Sequence, residues 1–273
     1  MVEVLVHFVA PALVGVLIGI ASGLLGIGGG TVMVPIFRLA FGMSATMSTA
    51  TSRFAIIPTS ISGAISHVKG KTCIPALGIA AGLGGACMSP IGVWLAQLSP
   101  DWLVMLAAAL IIGYSAINMF KKAFKLRPTG QPAAGVDAAA STADDSSLSR
   151  KQLLQGAAIG LVAGLASGYV GVGGGFIMVP LMLSIIGIPM RKASGTSLIA
   201  VMILAIPGVI EQGIIGNINY LAGIAIVIGT IPGAVIGARL VTKVPERTLR
   251  LLFGCFLIVA AVMLVLNEVG IFG

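Results

Sequence analysis

Charged residues are scarce in this 273-residue chain: they make up 9% of it, and aromatic residues only 5%. So little charge excludes an ordinary soluble domain, in which about a quarter of the residues are charged. The three cysteines stand singly, with no CxxC pair, and indicate neither a disulfide framework nor a metal site. HExxH, P-loop, Ser/His/Asp and paired intramembrane carboxylate patterns are also missing from the sequence, so we expect no enzyme and no cofactor.

Apolar sequence fills the chain instead, with 58% hydrophobic residues and a mean hydropathy of +1.11. Stretches of this kind reach the length of about 20 residues that a membrane-spanning helix needs. We therefore predict an all-α polytopic membrane protein with a first repeat at 1–125, a flexible linker at 126–150 and a second repeat at 151–273. The predicted segments are 4–25, 31–42, 46–66, 73–97 and 102–121, then 152–170, 176–187, 193–213, 219–241 and 247–267.

Basic residues alternate between the loops, and this alternation predicts the topology. Lys and Arg flank the linker on both sides, which places it in the cytoplasm and both termini outside. The net charge of +8 is therefore interpreted as a topology signal and not as a nucleic-acid site. Because each half has an odd number of segments, the halves are predicted to be inverted repeats, an architecture of many secondary transporters.

A glycine run occurs twice, as ASGLLGIGGGTVMVP at 21–35 and as ASGYVGVGGGFIMVP at 166–180, with a constant shift of 145 residues. The apolar segment after each run has only twelve residues, about 18 Å of helix against a membrane core of about 30 Å. A half-helix that begins there presents free N–H groups and the positive end of its dipole, which suits an anion. The candidate substrate contacts are Gly28, Gly29, Gly30 and Thr31 in the first half, and Gly173, Gly174 and Gly175 in the second. Close helix packing through small residues is the alternative interpretation.

Hydroxyl groups and a few isolated charges complete the candidate site. Thr51 and Ser52 match Thr196 and Ser197 at the same shift, and either contact the substrate or cap a helix. Arg53 lies in apolar sequence where a guanidinium normally faces a cavity or a partner, and it is the expected electrostatic contact.

Three more ionisable residues stand near segment ends. Arg38 is expected to reach the membrane interface. His67 and Glu211 are expected at the surface, and if they face the pathway instead they are the most plausible proton carriers.

The doubled GxxGxGGGxxxxP pattern, from Gly23 to Pro35 and from Gly168 to Pro180, resembles the sulfite exporter TauE/SafE family of membrane transporters. GTSL at 195–198 and GARL at 237–240 are also similar to that family's pattern. The resemblance implies a bacterial-type inner-membrane permease for sulfite, sulfoacetate or other organosulfonates, with a small anion and the lipid bilayer as partners. The alternatives are an anion channel, and an intramembrane enzyme or structural membrane protein.

Overall fold

A computed structural model describes residues 10–125 and 149–268, and most of the predicted linker lies outside these ranges. The described residues form ten helices and no strand. The helices are α1 (Ala10–Leu25), α2 (Gly30–Phe41), α3 (Ala45–Lys69), α4 (Pro75–Gln97), α5 (Asp101–Lys125), α6 (Arg150–Val170), α7 (Gly175–Leu181), α8 (Met190–Ile215), α9 (Tyr220–Leu240) and α10 (Glu246–Glu268). Each helix overlaps one of the ten predicted segments, and most of the helices extend a few residues beyond the predicted bounds.

Five helices are long and apolar enough to cross a membrane by length and composition: α4, α5, α6, α8 and α9. Large apolar side chains cover the outside of the bundle, including Leu17, Leu110 and Ile214 with 69%, 65% and 82% of their surface exposed. Such a surface is stable in lipid and not in water. The prediction of an all-α, multi-pass membrane protein is confirmed.

The two helices that follow the glycine runs are short, as predicted, but they differ from each other. α2 has 12 residues, whereas α7 ends at Leu181 and continues as a wider π-helical turn, Met182–Ile186. The Pro180 carbonyl accepts hydrogen bonds from the Ser184 hydroxyl and the Lys122 ammonium. Side chains that bind this carbonyl compete with the regular helical ladder, which accounts for the wider turn.

Helix pairing follows the same scheme in both halves. α1 packs against α9, and its counterpart α6 packs against α4, so the first helix of each half pairs with the fourth helix of the other. α3 and α8 pack on each other, as do α5 and α10. Exchanging the halves leaves this scheme unchanged, so the two halves interlock. Their opposite orientation in the membrane remains a prediction.

Glycines bring these paired helices close together. A Cβ added at Gly19 of α1 would overlap the Thr230 carbonyl of α9, and one at Gly160 of α6 would overlap the Ala81 carbonyl of α4. Small residues at such crossings let two backbones approach without lipid between them. The interlocked arrangement therefore depends on backbone contacts that a larger side chain would separate.

The topology can be tested by cysteine labelling. Ser141→Cys, in a variant whose three native cysteines are replaced, should react with a membrane-impermeant maleimide only after the cytoplasmic side is exposed. Labelling of intact cells at this position would contradict the assignment of five segments to each half.

Candidate functional site

The two glycine runs meet each other inside the protein. A Cβ added at Gly30 would overlap the Val172 carbonyl oxygen of the second run. The matching Cβ at Gly175 would overlap the Gly26 carbonyl oxygen of the first run and lie 2.8 Å from the Ile27 Cα. The triple glycines therefore both begin a helix and let the opposite backbone approach.

The first run turns sharply before α2. Gly28 and Gly29 have left-handed φ angles of 81° and 83°, and the Gly29 carbonyl accepts from the Met33 amide at 3.2 Å. The amides of Gly30 and Thr31 open the helix and have no acceptor within it. The expected N-terminal end of a half-helix is therefore present at the predicted residue.

Three buried hydroxyl groups near this end have no hydrogen-bond partner: those of Ser22, Thr31 and Ser60. A Cβ at Gly28 would lie 3.4 Å from the Ser60 Oγ, and one at Gly29 would lie 3.7 Å from the Ser22 Cβ. Because a buried polar atom without a partner is costly, this unused hydrogen-bonding capacity suits a polar ligand.

The second run keeps one of these three hydroxyl positions and lacks the other two. Ser167 matches Ser22 at the 145-residue shift, whereas Phe176 and Ala205 match Thr31 and Ser60. A Cβ at Gly174 would contact the Ala163 carbonyl and the Leu204 side chain, at 3.1 Å and 3.2 Å. The environments of Gly173–Gly175 and of Gly28–Gly30 are therefore not equivalent. Their backbones also differ before the helix, since φ is 83° at Gly29 and −55° at Gly174.

The matched serines bind the opposite glycine run. The Ser52 hydroxyl donates to the Gly171 carbonyl at 2.8 Å, and the Ser197 hydroxyl donates to the Gly26 carbonyl at 2.7 Å. The matched threonines cap helices of the opposite half: Thr51 Oγ1 accepts from the Asn219 amide at 3.0 Å and Thr196 Oγ1 from the Ile74 amide at 2.9 Å. All four hydroxyls therefore hold the halves together, which favours the helix-capping interpretation of these residues.

This symmetry predicts matched losses of stability. Ser52→Ala and Ser197→Ala each leave a buried carbonyl with fewer donors, so each should lower the free energy of unfolding by about 1 kcal/mol. Thermal unfolding in detergent measures the loss. Thr242→Ala is the control because the Thr242 hydroxyl makes only an exposed bond to the Arg239 carbonyl; an equal loss in the control would contradict the special role of the serine pair.

Arg53 lies inside the protein with 3% of its surface exposed. Its Nη2 donates to the Ser167 carbonyl at 2.9 Å and also to the Gly168 carbonyl. These carbonyls lie in the last turn of α6, where the helix dipole favours a cation. The guanidinium also interacts electrostatically with Glu211.

The remaining donors of Arg53 are free, since Nε and Nη1 are buried without a hydrogen-bond partner. Arg53 lines a cavity of about 20 Å³ together with Thr46, Thr49, Tyr169 and Gln212. This volume admits about one water molecule. The sequence-based expectation that the Arg53 guanidinium faces a cavity agrees with this geometry.

The expectation of a surface position is wrong for His67, which is completely buried. Its ring is held by the Gly23 carbonyl and the Thr72 hydroxyl, which compensates for burial of a polar group. Glu211 is partly buried, with a buried Oε2 that has no hydrogen-bond partner. Arg38 is partly buried in the last turn of α2, away from the residues that line the Arg53 cavity.

Sequence reasoning missed Gln212 and Tyr169 as cavity residues and Ser22 and Ser60 as neighbours of the first glycine run. One signal for Gln212 was present: the 145-residue shift matches it with His67. Ser22 also carried a signal, because Ser167 matches it in the repeated glycine motif. Ser60 carries none, since its match is Ala205 and hydroxyl side chains are common in membrane helices that pack closely.

Interlocked apolar helices around a buried arginine and a small cavity are features that membrane transporters share. The family model "Sulfite exporter TauE/SafE" matches residues 11–264, so the chain belongs to the TauE/SafE family of membrane transporters. The resemblance found in the glycine pattern is confirmed.

Curated relatives agree with this class. The chain is 28% identical to "Probable membrane transporter protein YunE" of Bacillus subtilis, over 97% of this chain and 99% of the relative. It is 30% identical to a "Probable membrane transporter protein" of Haemophilus influenzae, over 93% of this chain and 97% of the relative. No solved structure gave a significant match.

Proposed function

We propose that this transporter carries small sulfur-containing anions, such as sulfite, sulfoacetate or other organosulfonates, across a bacterial-type inner membrane. Arg53 is the observation that carries the proposal. A buried guanidinium with two free donors has a full positive charge to offer a ligand, and a sulfonate or sulfite group presents three oxygens with negative charge.

The surroundings of Arg53 favour a small oxyanion over a larger or apolar ligand. Thr46 and Thr49 bring hydroxyl groups to the cavity, and Gln212 brings an amide that donates to oxygen. The free amides of Gly30 and Thr31 and the hydroxyls of Ser22 and Ser60 form a second polar surface at the first glycine run. An anion passing between the halves would meet donors at both places.

The conformation described here does not admit a sulfonate beside Arg53, because the cavity there has a volume of only about 20 Å³. Entry requires α3 to separate from α6 near Arg53, and exit requires an opening elsewhere between the halves. Because the helix-pairing scheme is the same in both halves, an opening in one half has a matched counterpart in the other. This arrangement supports alternating access in preference to a continuous channel.

Flux measurements on the purified protein in liposomes test the proposal. A carrier of sulfur oxyanions should show saturable uptake of sulfite or sulfoacetate that is accelerated by the same anion on the opposite side. Conductance that does not saturate would favour an anion channel. Folded protein that moves none of these anions would leave an enzymatic or structural role as the better account.

A further inference from the structure

His67, like Arg53, is a buried polar side chain of α3 that binds a backbone carbonyl near the C-terminal end of another helix. Its Nε2 lies 2.7 Å from the Gly23 carbonyl of α1, and its Nδ1 lies 2.7 Å from the Thr72 hydroxyl. Gly23 matches Gly168 at the 145-residue shift, so α3 binds the two equivalent carbonyls, one with Arg53 and one with His67. Arg53 is always charged, whereas the charge of an imidazole depends on pH.

Both protonation states of His67 can be fully hydrogen-bonded in this site. A carbonyl only accepts, so Nε2 carries a proton and donates to Gly23. In the neutral ring Nδ1 accepts from the Thr72 hydroxyl. When Nδ1 binds a proton it donates to Thr72 Oγ1, and the hydroxyl proton turns to the His67 carbonyl, 3.3 Å away. The ring therefore gains a proton and no polar atom loses its partner.

Thr72 also provides the route by which a proton reaches the ring. It is partly exposed in the turn after α3, beside the exposed Lys69 and Lys71, while the imidazole itself is fully buried. A proton that arrives from this turn reaches Nδ1 first. The opposite face of the ring is closed by α1.

The other elements around His67 bring no acid that would hold it permanently charged. α1 contributes Gly23, and α8 contributes Gly195, where an added Cβ would lie 2.8 Å from both Nδ1 and the Cys73 Cβ. α9 packs on α1 beside Gly23. The charged residues nearest in sequence to these contacts are all cations: Arg191 and Lys192 of α8, Arg239 of α9, Lys69 at the end of α3 and Lys71 in the turn after it. No charged side chain in the described ranges interacts strongly with the imidazole.

The matched position in the other half provides an internal comparison. Gln212 matches His67 and Asn217 matches Thr72, and the Gln212 Oε1 accepts from the Asn217 Nδ2 at 2.8 Å. The same hydrogen-bonded pair therefore occurs twice, but only one copy can bind a proton. The bond to the residue five positions later does not by itself require histidine, because glutamine makes it in the other half.

We propose that His67 binds the proton whose movement across the membrane is coupled to transport of the anion. The proposal rests on the proposed function, and it assigns the coupling ion. A proton enters from the turn at Thr72 and is bound at Nδ1. It is released unchanged when α1 and α8 separate from α3, so no bond other than N–H is made or broken.

The test compares two kinds of flux in liposomes that contain the full-length protein. Sulfoacetate is the probe because its charge is constant between about pH 6 and pH 8. In the parent protein an imposed proton gradient should drive net uptake, and an internal pH dye should report proton movement that stops when the anion is omitted. His67→Gln, which copies Gln212, should lose proton movement and gradient-driven uptake at least tenfold and should keep anion exchange.

The measurement of anion exchange distinguishes a failure of this proposal from a failure of the proposed function. If the parent exchanges sulfoacetate but moves no protons, or if His67→Gln still responds to the gradient, the assignment of His67 is overturned and the anion transporter stands. If the folded parent shows no exchange with any sulfur oxyanion, the proposed function itself fails.

Thr72→Val is the second variant, and it keeps the imidazole in place. The protonated ring then has no acceptor at Nδ1, so gradient-driven uptake should reach half its maximum at a lower pH than in the parent, by about one unit. Asn217→Val, at the matched position, should leave this pH unchanged. An unshifted profile in Thr72→Val, or an equal shift in both variants, would contradict the proton site.

Discussion

Replacing Arg53 with alanine should weaken binding of a sulfonate by about 2–4 kcal/mol, or roughly 30-fold to 1,000-fold. The variant loses the full positive charge beside the cavity and the two free donors, Nε and Nη1. It also removes the donor to the Ser167 and Gly168 carbonyls, so its thermal stability must be measured alongside. The affinity of the variant is measured by the concentration dependence of stabilisation by the anion.

Arg53→Lys separates charge from geometry. An ammonium keeps the charge but not the planar set of donors, so its affinity should fall between those of the parent and Arg53→Ala. Arg38→Ala is the matched control, because Arg38 is an arginine of the same half that lies in α2 and does not line the cavity. If Arg38→Ala loses affinity and Arg53→Ala does not, the two assignments must be exchanged.

Alanine at Gly30 or Gly175 should prevent correct folding or abolish transport. Each new Cβ would overlap a backbone carbonyl of the opposite glycine run, and a carbonyl cannot turn aside as a flexible side chain can. The overlap should cost about 3 kcal/mol or more in either variant. The yield of monodisperse protein and its unfolding temperature measure this effect.

Gly42→Ala is the control for this pair. Gly42 ends α2 with a φ of 61°, but a Cβ there would meet nothing within 4 Å. Its cost is confined to backbone strain of about 1 kcal/mol, so the variant should fold and transport. Parent-like stability of Gly30→Ala would show that the two runs do not approach closely in the membrane.

The helices were predictable because lipid imposes a simple rule: every backbone amide and carbonyl must be bonded within a helix. Long apolar segments then mark the helices, and glycine runs mark where helices break. The short α2 was recovered to within a residue. The π-helical turn after α7 was not, since it depends on side chains that bind the Pro180 carbonyl, and one of them, Lys122, comes from another helix.

The candidate site was predictable in its residues and less so in their contacts. A lone arginine in apolar sequence pointed to Arg53, and the cavity beside it agrees with that interpretation. His67 was expected at the surface because it ends a predicted segment, yet the helix continues to Lys69 and α1 and α8 cover the ring. Contacts between halves decide this burial, and a repeat pattern alone does not contain them.

The four matched hydroxyls show a further limit of sequence reasoning. Thr51, Ser52, Thr196 and Ser197 stand in a pattern that fits both a ligand site and a structural contact. Each of the four makes a hydrogen bond to a backbone group of the opposite half. Distinguishing the two interpretations requires the position of a backbone group more than a hundred residues away.

The most direct test of the central claim is the unfolding temperature of the purified protein with a panel of sulfur compounds: the anions sulfite, sulfoacetate, sulfate and thiosulfate, and the zwitterionic sulfonate taurine. A ligand at a hundred times its Kd stabilises the folded protein by about 2.7 kcal/mol. We predict that sulfite or sulfoacetate raises the unfolding temperature in a saturable manner in the parent, and that this rise is lost in Arg53→Ala. No rise with any of these sulfur-containing anions, or an equal rise in the parent and in Arg53→Ala, would contradict a sulfur oxyanion site at Arg53.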